Sequence, residues 1–363
     1  MDRNPKRKLA LLIPAHNEQV VVTDTIRSAI SAGQPREDIY LVSDGSTDWT
    51  VDLAYLMLDN GHVIQQPQSG KGIAILTGLQ YFGIADRYEW VHIADADGMF
   101  GPGYFAELTQ RLSVKFCAAT GHLQSLKAGW ISKYRTFEYT FGLEVMRRIQ
   151  AAIGAIPVIP GATCIYRTDI LEHLDFTHES LTEDMDLTIQ IHRKKLGKIA
   201  FIPQAKAFTQ DPKDFRDYFK QVMRWYRGAW QVMLRHKIGL RPQRVDGYMV
   251  WMVAEELILL VEISILPLLA WWGQNYGPIS LIFLTDLAIF FGITVWAAGV
   301  NNRADVISGF PFFYFLRFVN LFAFFRAWYE IVVQHKFRSV APGWSTDGRR
   351  YRIATEVVNS KKA

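Results

Sequence analysis

Along the first hundred residues the apolar positions come in short unbroken runs, each followed by a longer stretch with apolar positions at helical spacing. Leu9–Pro14 precedes Val20–Ala32, Ile39–Ser43 precedes Trp49–Asn60, and His62–Gln66 precedes Gly72–Phe82. A fourth run, Trp90–Ala94, ends in two carboxylates one residue apart, Asp95 and Asp97. Strand-like runs bridged by helices predict βαβ units and a parallel sheet, an α/β fold. Ligands of such sheets lie beyond the carboxyl ends of the strands. The polar signatures fall there: PAHNE after the first run, SDGSTD after the second, ADAD after the fourth.

The texture changes at Tyr248. Tyr248–Trp272 and Pro278–Gly299 are each long enough to cross a hydrocarbon core, and Trp251, Trp271, Trp272, Tyr276 and Trp296 suit membrane interfaces. The alternative is a very long buried soluble helix. The loop Gly273–Gly277 has no charge, whereas Arg303 and the tail (Lys336, Arg338, Arg349, Arg350, Arg352) are basic. The positive-inside rule then places that loop outside and the remaining segments in the cytosol. Phe310–Val333 is apolar and aromatic but holds Arg317 and Arg326 on opposite helix faces. It reads as embedded at the interface or re-entrant, with a third full span as the alternative. The expected organisation is therefore residues 1–235 as a cytosolic catalytic domain, 236–335 as a membrane region, and 336–363 as a basic cytosolic tail.

At 363 residues the chain has room for two ordinary domains. The net charge of +5 is concentrated at the ends, while Trp251–Val300 holds no Lys or Arg. The basic ends are either solvated termini or attracted to anionic headgroups. No basic run is interleaved with aromatics, so nucleic acid is not an expected partner. Cys117 and Cys164 lack metal or redox spacing; they exclude a disulfide framework and fit a reducing cytosol. Met1–Lys8 is polar and Leu9–Pro14 too short for a secretory apolar core, so no signal peptide is expected. No internal repeat or low-complexity tract is visible.

A D-x-D pair at a strand end can hold a hard divalent cation through oxygen ligands, with substrate phosphates completing the shell. Turns, caps or solvated loops produce the same spacing. Ser46, Thr47 and Asp48 stand where the next helix would be capped, which leaves Asp44 unexplained. Gly70–Gly72 (GKG) offers a lysine and permissive backbone before a helix, a plausible phosphate contact. The full phosphate-loop and G-x-G-x-x-G patterns are absent, which disfavours a nucleotide triphosphatase or dinucleotide enzyme. Glu183, Asp184 and Asp186 open an amphipathic helix, where acids also favour the helix dipole. In FKQVMRWYRGAWQ, Gln221 and Arg224 share a helix face with Trp225 beside them. A guanidinium matches phosphate oxygens and an indole offers a flat face to a sugar. An interfacial helix with snorkelling arginine is the other reading.

Together these pieces resemble the family 2 inverting glycosyltransferases of GT-A fold, especially the membrane-embedded synthases of cellulose, hyaluronan and poly-N-acetylglucosamine. The resemblance runs from about Leu9 to Leu234 in unbroken motif order, including Glu138–Gly142, GATCIYR (Gly161–Arg167) and KIAFIPQAKAFTQDP. It implies a GT-A Rossmann-like catalytic domain followed by C-terminal transmembrane or interfacial helices. It further implies that Ala15, Asn17 and Glu18 line a uridine pocket, with Asp44 on base or ribose and Lys71 nearby. Asp97 would hold Mg²⁺ or Mn²⁺ against a diphosphate, and Asp95 would contact nucleotide or metal. Gly161, Ala162 and Thr163 would border the acceptor. Asp184, with Glu183 beside it, is the implied general base. Gln221, Arg224 and Trp225 match QxxRW, closing over the pyrophosphate and stacking on the acceptor sugar.

Two features depart from the multi-span synthases. The sequence opens directly on the catalytic pattern, and it has no clear FxVTxK-like gating segment; GWSTDGRR (343–350) is the segment left to approach the site. The expected activity is transfer of a hexose or N-acetylhexosamine from a UDP-sugar to a glycan or lipid-linked acceptor, forming a β-linked oligo- or polysaccharide. A bilayer and a homo-oligomer or membrane partner complete the expected partners. A polyprenyl-phosphate glycosyltransferase is the nearest alternative, sharing fold and D-x-D but normally lacking the QVMRW-type helix. A catalytically silent membrane scaffold would need none of these motifs.

Overall fold

The computed structural model describes residues 6–126, 129–177, 180–336 and 344. Its centre is one eight-stranded sheet built from β1 (Arg7–Ala15), β2 (Ile39–Asp44), β3 (Val63–Gln66), β4 (Tyr88–Ile93), β5 (Met99–Phe100), β6 (Phe116–Ser125), β7 (Cys164–Arg167) and β8 (Lys198–Thr209), in the order β3-β2-β1-β4-β7-β6-β8-β5. The β3-β2-β1-β4 half is all parallel, as the run-and-helix pattern predicts. Beyond β4 the sheet turns mixed: β7 runs antiparallel to both β4 and β6, while β6 and β8 are parallel.

Both faces of the parallel half are covered, which is why its strands read as continuous apolar runs. Along β1, Leu9, Leu11 and Ile13 pack with Val22, Ile26 and Ala29 on one face. Ala10 and Leu12 turn the other way, onto Ala74, Ile75 and Leu79. The register sets Ala15 beside Ser43, Ser43 beside Gln65 and Asp44 beside Gln66. The polar motifs thus emerge along one edge of the sheet.

The C-terminal helices form two different attachments. The Arg244–Leu260 helix continues through a π-turn into Leu266–Gly273, and Gly277–Val300 returns from it. Both ends of this hairpin are tied to the sheet-bearing part of the chain. Asp246 pairs with Arg193, Asn301 donates to Thr140 Oγ1 at 2.7 Å, and Phe290 packs on Phe137. Its tip carries Trp271 and Trp272, both exposed. Gly277–Val300 and the helical stretch Ala304–Val333 are long and apolar enough to cross a membrane, the first almost wholly uncovered and the second partly buried. The Arg244–Gly273 limb carries Glu255, Glu256 and Glu262 among its apolar residues.

Phe310–Trp328 follows a different course, lying along the Phe215–Arg235 helix. Tyr218 donates to Asn320, Phe219 stacks on Phe322, Tyr226 meets Phe324, and Arg227 pairs with Glu330. These contacts step along both helices in the same direction. With Ile131, Tyr134 and Phe137 they enclose a third core that belongs to both halves of the chain.

Candidate active site

The site is assembled from strand ends and the turns that follow them. β1 hands over to Asn17, whose left-handed backbone (φ 54°) turns the chain. The Asn17 side chain accepts from Thr47 N–H at 2.8 Å, and its own N–H donates to Ser46 Oγ at 3.0 Å. Glu18 N–H donates to Thr50 Oγ1 at 2.7 Å, while its carbonyl accepts from Val21 and Val22 and starts the first helix. PAHNE and SDGSTD are therefore one interlocked wall. The Thr50–Met57 helix begins after Trp49, which makes no side-chain cap; Asp48, one residue before it, accepts from Thr50 N–H at 3.0 Å.

Asp44 is buried, with four donors. Gln66 Nε2 and Ser69 N–H reach one oxygen at 2.8 Å each; Gly70 N–H (2.8 Å) and Trp344 Nε1 (2.7 Å) reach the other. Burial pushes the carboxyl upward, but these bonds outweigh it and hold Asp44 below its ordinary value. The Trp344 ring also stacks over His16, with centroids 6.0 Å apart. A base or ribose reaching Asp44 from this side has to displace that indole. The remainder of GWSTDGRR lies outside the described residues.

Asp95 and Asp97 follow β4 on a turn closed by Gly98 N–H to Asp95 O at 3.1 Å. Lys71, first residue of its helix, places Nζ 2.7 Å from Asp95 Oδ1 and also pairs with Glu183. Its ammonium bridges the D-x-D turn and the Glu183 helix, whose acids lie 24 and 112 residues from Lys71 in sequence; against the cost of burial, the two carboxylates hold its pKa above the usual lysine value. Gly161 lies against the same carboxylate: a Cβ there would sit 2.8 Å from Asp95 Oδ2. Gly161 N–H donates to Asp184 Oδ2 at 3.1 Å, so the GATCIYR turn touches both acids. Ala162 and Thr163 are buried. The Ala162 carbonyl lies 3.3 Å from His92 Nε2, and Thr163 Oγ1 lies 2.9 Å from Thr120 Oγ1.

Asp184 stands in the first turn of the Glu183–Lys194 helix. Its Oδ1 accepts from Met185 N–H at 2.8 Å. Burial, then the neighbouring Glu183 carboxylate, raise its pKa to about 6 against the opposing pull of Lys71. A carboxylate in that range is ionised near neutral pH yet basic enough to take a proton.

The QVMRW helix closes this region from one side. Arg224 donates to Leu181 O at 3.3 Å, and Gln231 accepts from Leu181 N–H at 3.2 Å. Gly228 lies so close to Thr182 that a side chain there would overlap it. Arg235 and His236 grip Asp186 at 2.6 and 2.8 Å. Gln221 and Trp225 take a different partner. Arg135, fully buried, donates to Gln221 Oε1 at 2.6 Å, and its guanidinium lies 4.5 Å from the centroid of the Trp225 ring. Sequence reasoning missed Arg135 and His92; burial takes His92 down to a pKa of about 3, a neutral ring on the strand that ends at the D-x-D turn.

Asp95 and Asp97 offer oxygen ligands suited to a divalent cation. Among the described residues no three acidic, histidine or cysteine side chains converge as a closed metal cage. Two carboxylates with phosphate oxygens completing the shell suit Mg²⁺-type coordination.

The mixed α/β sheet, with its D-x-D turn, lysine bridge and helix-borne acid, defines a glycosyltransferase. Residues 5–228 match the family described as glycosyltransferase like family 2, and the chain belongs to it. It is 27% identical over 235 residues to a poly-beta-1,6-N-acetyl-D-glucosamine synthase of Staphylococcus epidermidis, covering 62% of this chain and 56% of that one. The Staphylococcus aureus synthase of the same name is 24% identical over 269 residues, covering 72% and 63%. The chain thus spans less than two thirds of these relatives. The solved mannosyltransferase PcManGT from Pyrobaculum calidifontis, in complex with GDP-Man and Mn2+, shares the fold with a TM-score of 0.58 at 14% identity, covering 85% of this chain and 87% of that one.

Proposed function

We propose that the protein is a membrane-bound inverting glycosyltransferase that moves a hexose or N-acetylhexosamine from a UDP-sugar to a glycan acceptor, building a β-linked oligo- or polysaccharide. The observation that carries this reading is the half-buried Asp184 carboxylate, tied through Gly161 to the turn that packs on Asp95. Asp184 takes the proton of the acceptor hydroxyl as its oxygen attacks the anomeric carbon from the face opposite the leaving diphosphate. Lys71 and Arg224 supply positive charge toward that leaving group. Asp95 and Asp97 would hold Mg²⁺ or Mn²⁺, which supplies further neutralisation of the diphosphate. Ala15, Asn17, Glu18 and Asp44 form the nucleotide wall, and Gly161 with Trp225 flanks the acceptor side.

The membrane reading draws on the exposed apolar hairpin with its uncharged Gly273–Gly277 tip, and on the Phe310–Trp328 helix laid along the catalytic region. The first suits a crossing; the second suits a helix lying at the interface on the cytosolic side. A donor-panel assay on the full chain in membranes, with Mg²⁺ or Mn²⁺, tests the whole. UDP release with an extended glycan product is expected. A lipid-linked monosaccharide would favour the polyprenyl-phosphate alternative, and no UDP release with any donor would overturn the enzymatic reading.

A further inference from the structure

A polar cleft lies where the QVMRW helix ends against the C-terminal half of the Glu183–Lys194 helix. It encloses about 230 Å³, the room taken by several liquid waters at about 30 Å³ each. Five of its lining residues are cations: Arg193, Lys194, Arg235, Lys237 and Arg241. Two of them are neutralised, Arg193 by Asp246 and Arg235 by Asp175 and Asp186. Lys194, Lys237 and Arg241 are exposed and have no carboxylate partner among the described residues. Three like charges around one concavity repel one another, and a multivalent anion relieves that repulsion.

The surroundings indicate the kind of anion. The turn from Lys237 to Arg241 holds Leu240, which is 78% exposed, between its two cations. It leads directly into the Arg244–Leu260 helix, whose outer side exposes Val250 and Trp251. An apolar tip flanked by cations, beside an apolar helix, matches the boundary where phosphate headgroups lie.

We propose that this cleft is a binding site for a phosphate-bearing anion, held by Lys194, Lys237 and Arg241. The bound anion lies next to Arg235 and His236, the pair that fixes Asp186 two residues from Asp184. Binding is therefore positioned to stiffen the first turn of the helix that carries the proposed base.

Calorimetric titration of the purified full chain in neutral detergent tests the site without any activity readout, and so independently of the proposed reaction. The probes are inorganic phosphate, a short-chain phosphatidylglycerol and the matching phosphatidylcholine. Phosphate and phosphatidylglycerol should bind, more weakly at high salt, and phosphatidylcholine should not. Tighter binding of phosphatidylglycerol would name the bilayer as the source; equal or tighter binding of phosphate would name a soluble anion. Combined Lys194→Glu, Lys237→Glu and Arg241→Glu should weaken either ligand at least about tenfold. The triple glutamine variant guards against misfolding and should show an intermediate loss. Unchanged binding in both variants, or no binding of either anion to the parent chain, would overturn the proposal.

Discussion

Asp184 concentrates the chemistry into one titration. Its folded pKa of about 6 lies above the ordinary carboxylate value because burial and Glu183 disfavour the charge. Ionisation is needed for base catalysis, so the rate should climb as pH rises through about 6 and then level. Stability follows the opposite sign: the contribution of this group is complete below its unfolded pKa and lost as pH rises through the folded one. Asp184→Asn should therefore cut turnover about 10²–10⁴-fold with donor binding retained by calorimetry. It should also melt above the parent at pH 8, with the gap closing toward pH 4; a gap independent of pH would refute the assignment. Asp97→Asn should abolish turnover with the fold intact, and full activity of the parent in excess chelator would exclude the metal role. Asp95, Asp97 and Asp184 could be singled out in sequence because they sit in short local motifs that recur in order along the chain. The bridge from Lys71 to Glu183 and the indole of Trp344 on Asp44 could not, since nothing local joins residues 112 and 300 positions apart. Arg135 lies in none of the motifs; its burial beside Gln221 gives it a part in holding QVMRW.

At the level of elements, the decisive contact is between the Phe215–Arg235 helix and the turn before Glu183. Gly228 permits it. In an exposed helix, Gly→Ala is stabilising by about 1 kcal/mol, but here a methyl group would press on Thr182. Gly228→Ala should lower both the melting temperature and the turnover number. Adding Thr182→Gly should restore part of each, which a double-mutant cycle would resolve. Additive losses would mean that the two residues do not act on each other. The parallel half of the sheet could be read from its alternation of apolar runs and helices. The mixed half could not: β6, β7 and β8 are ordinary apolar segments whose direction depends on distant partners, and β5 is only two residues long.

For the molecule as a whole, topology is the open quantity and charge predicts it. In intact cells, a cysteine at Asn275→Cys should react with an impermeant reagent from outside, whereas Ser360→Cys should not. Labelling at Ser360→Cys would show that Ala304–Val333 crosses completely. The sequence suggests a boundary near Arg235, and in chain order that is where the catalytic motifs end. Packing crosses that point: Tyr134, Phe137, Tyr218, Val222 and Met223 share one core with Ala297, Phe313, Leu316 and Ala323. Excising the first 235 residues would turn that shared core into a water-facing apolar scar on the helix that carries Arg224. A soluble catalytic fragment for crystallisation or screening would thus need those faces rebuilt with polar residues, or the C-terminal helices retained.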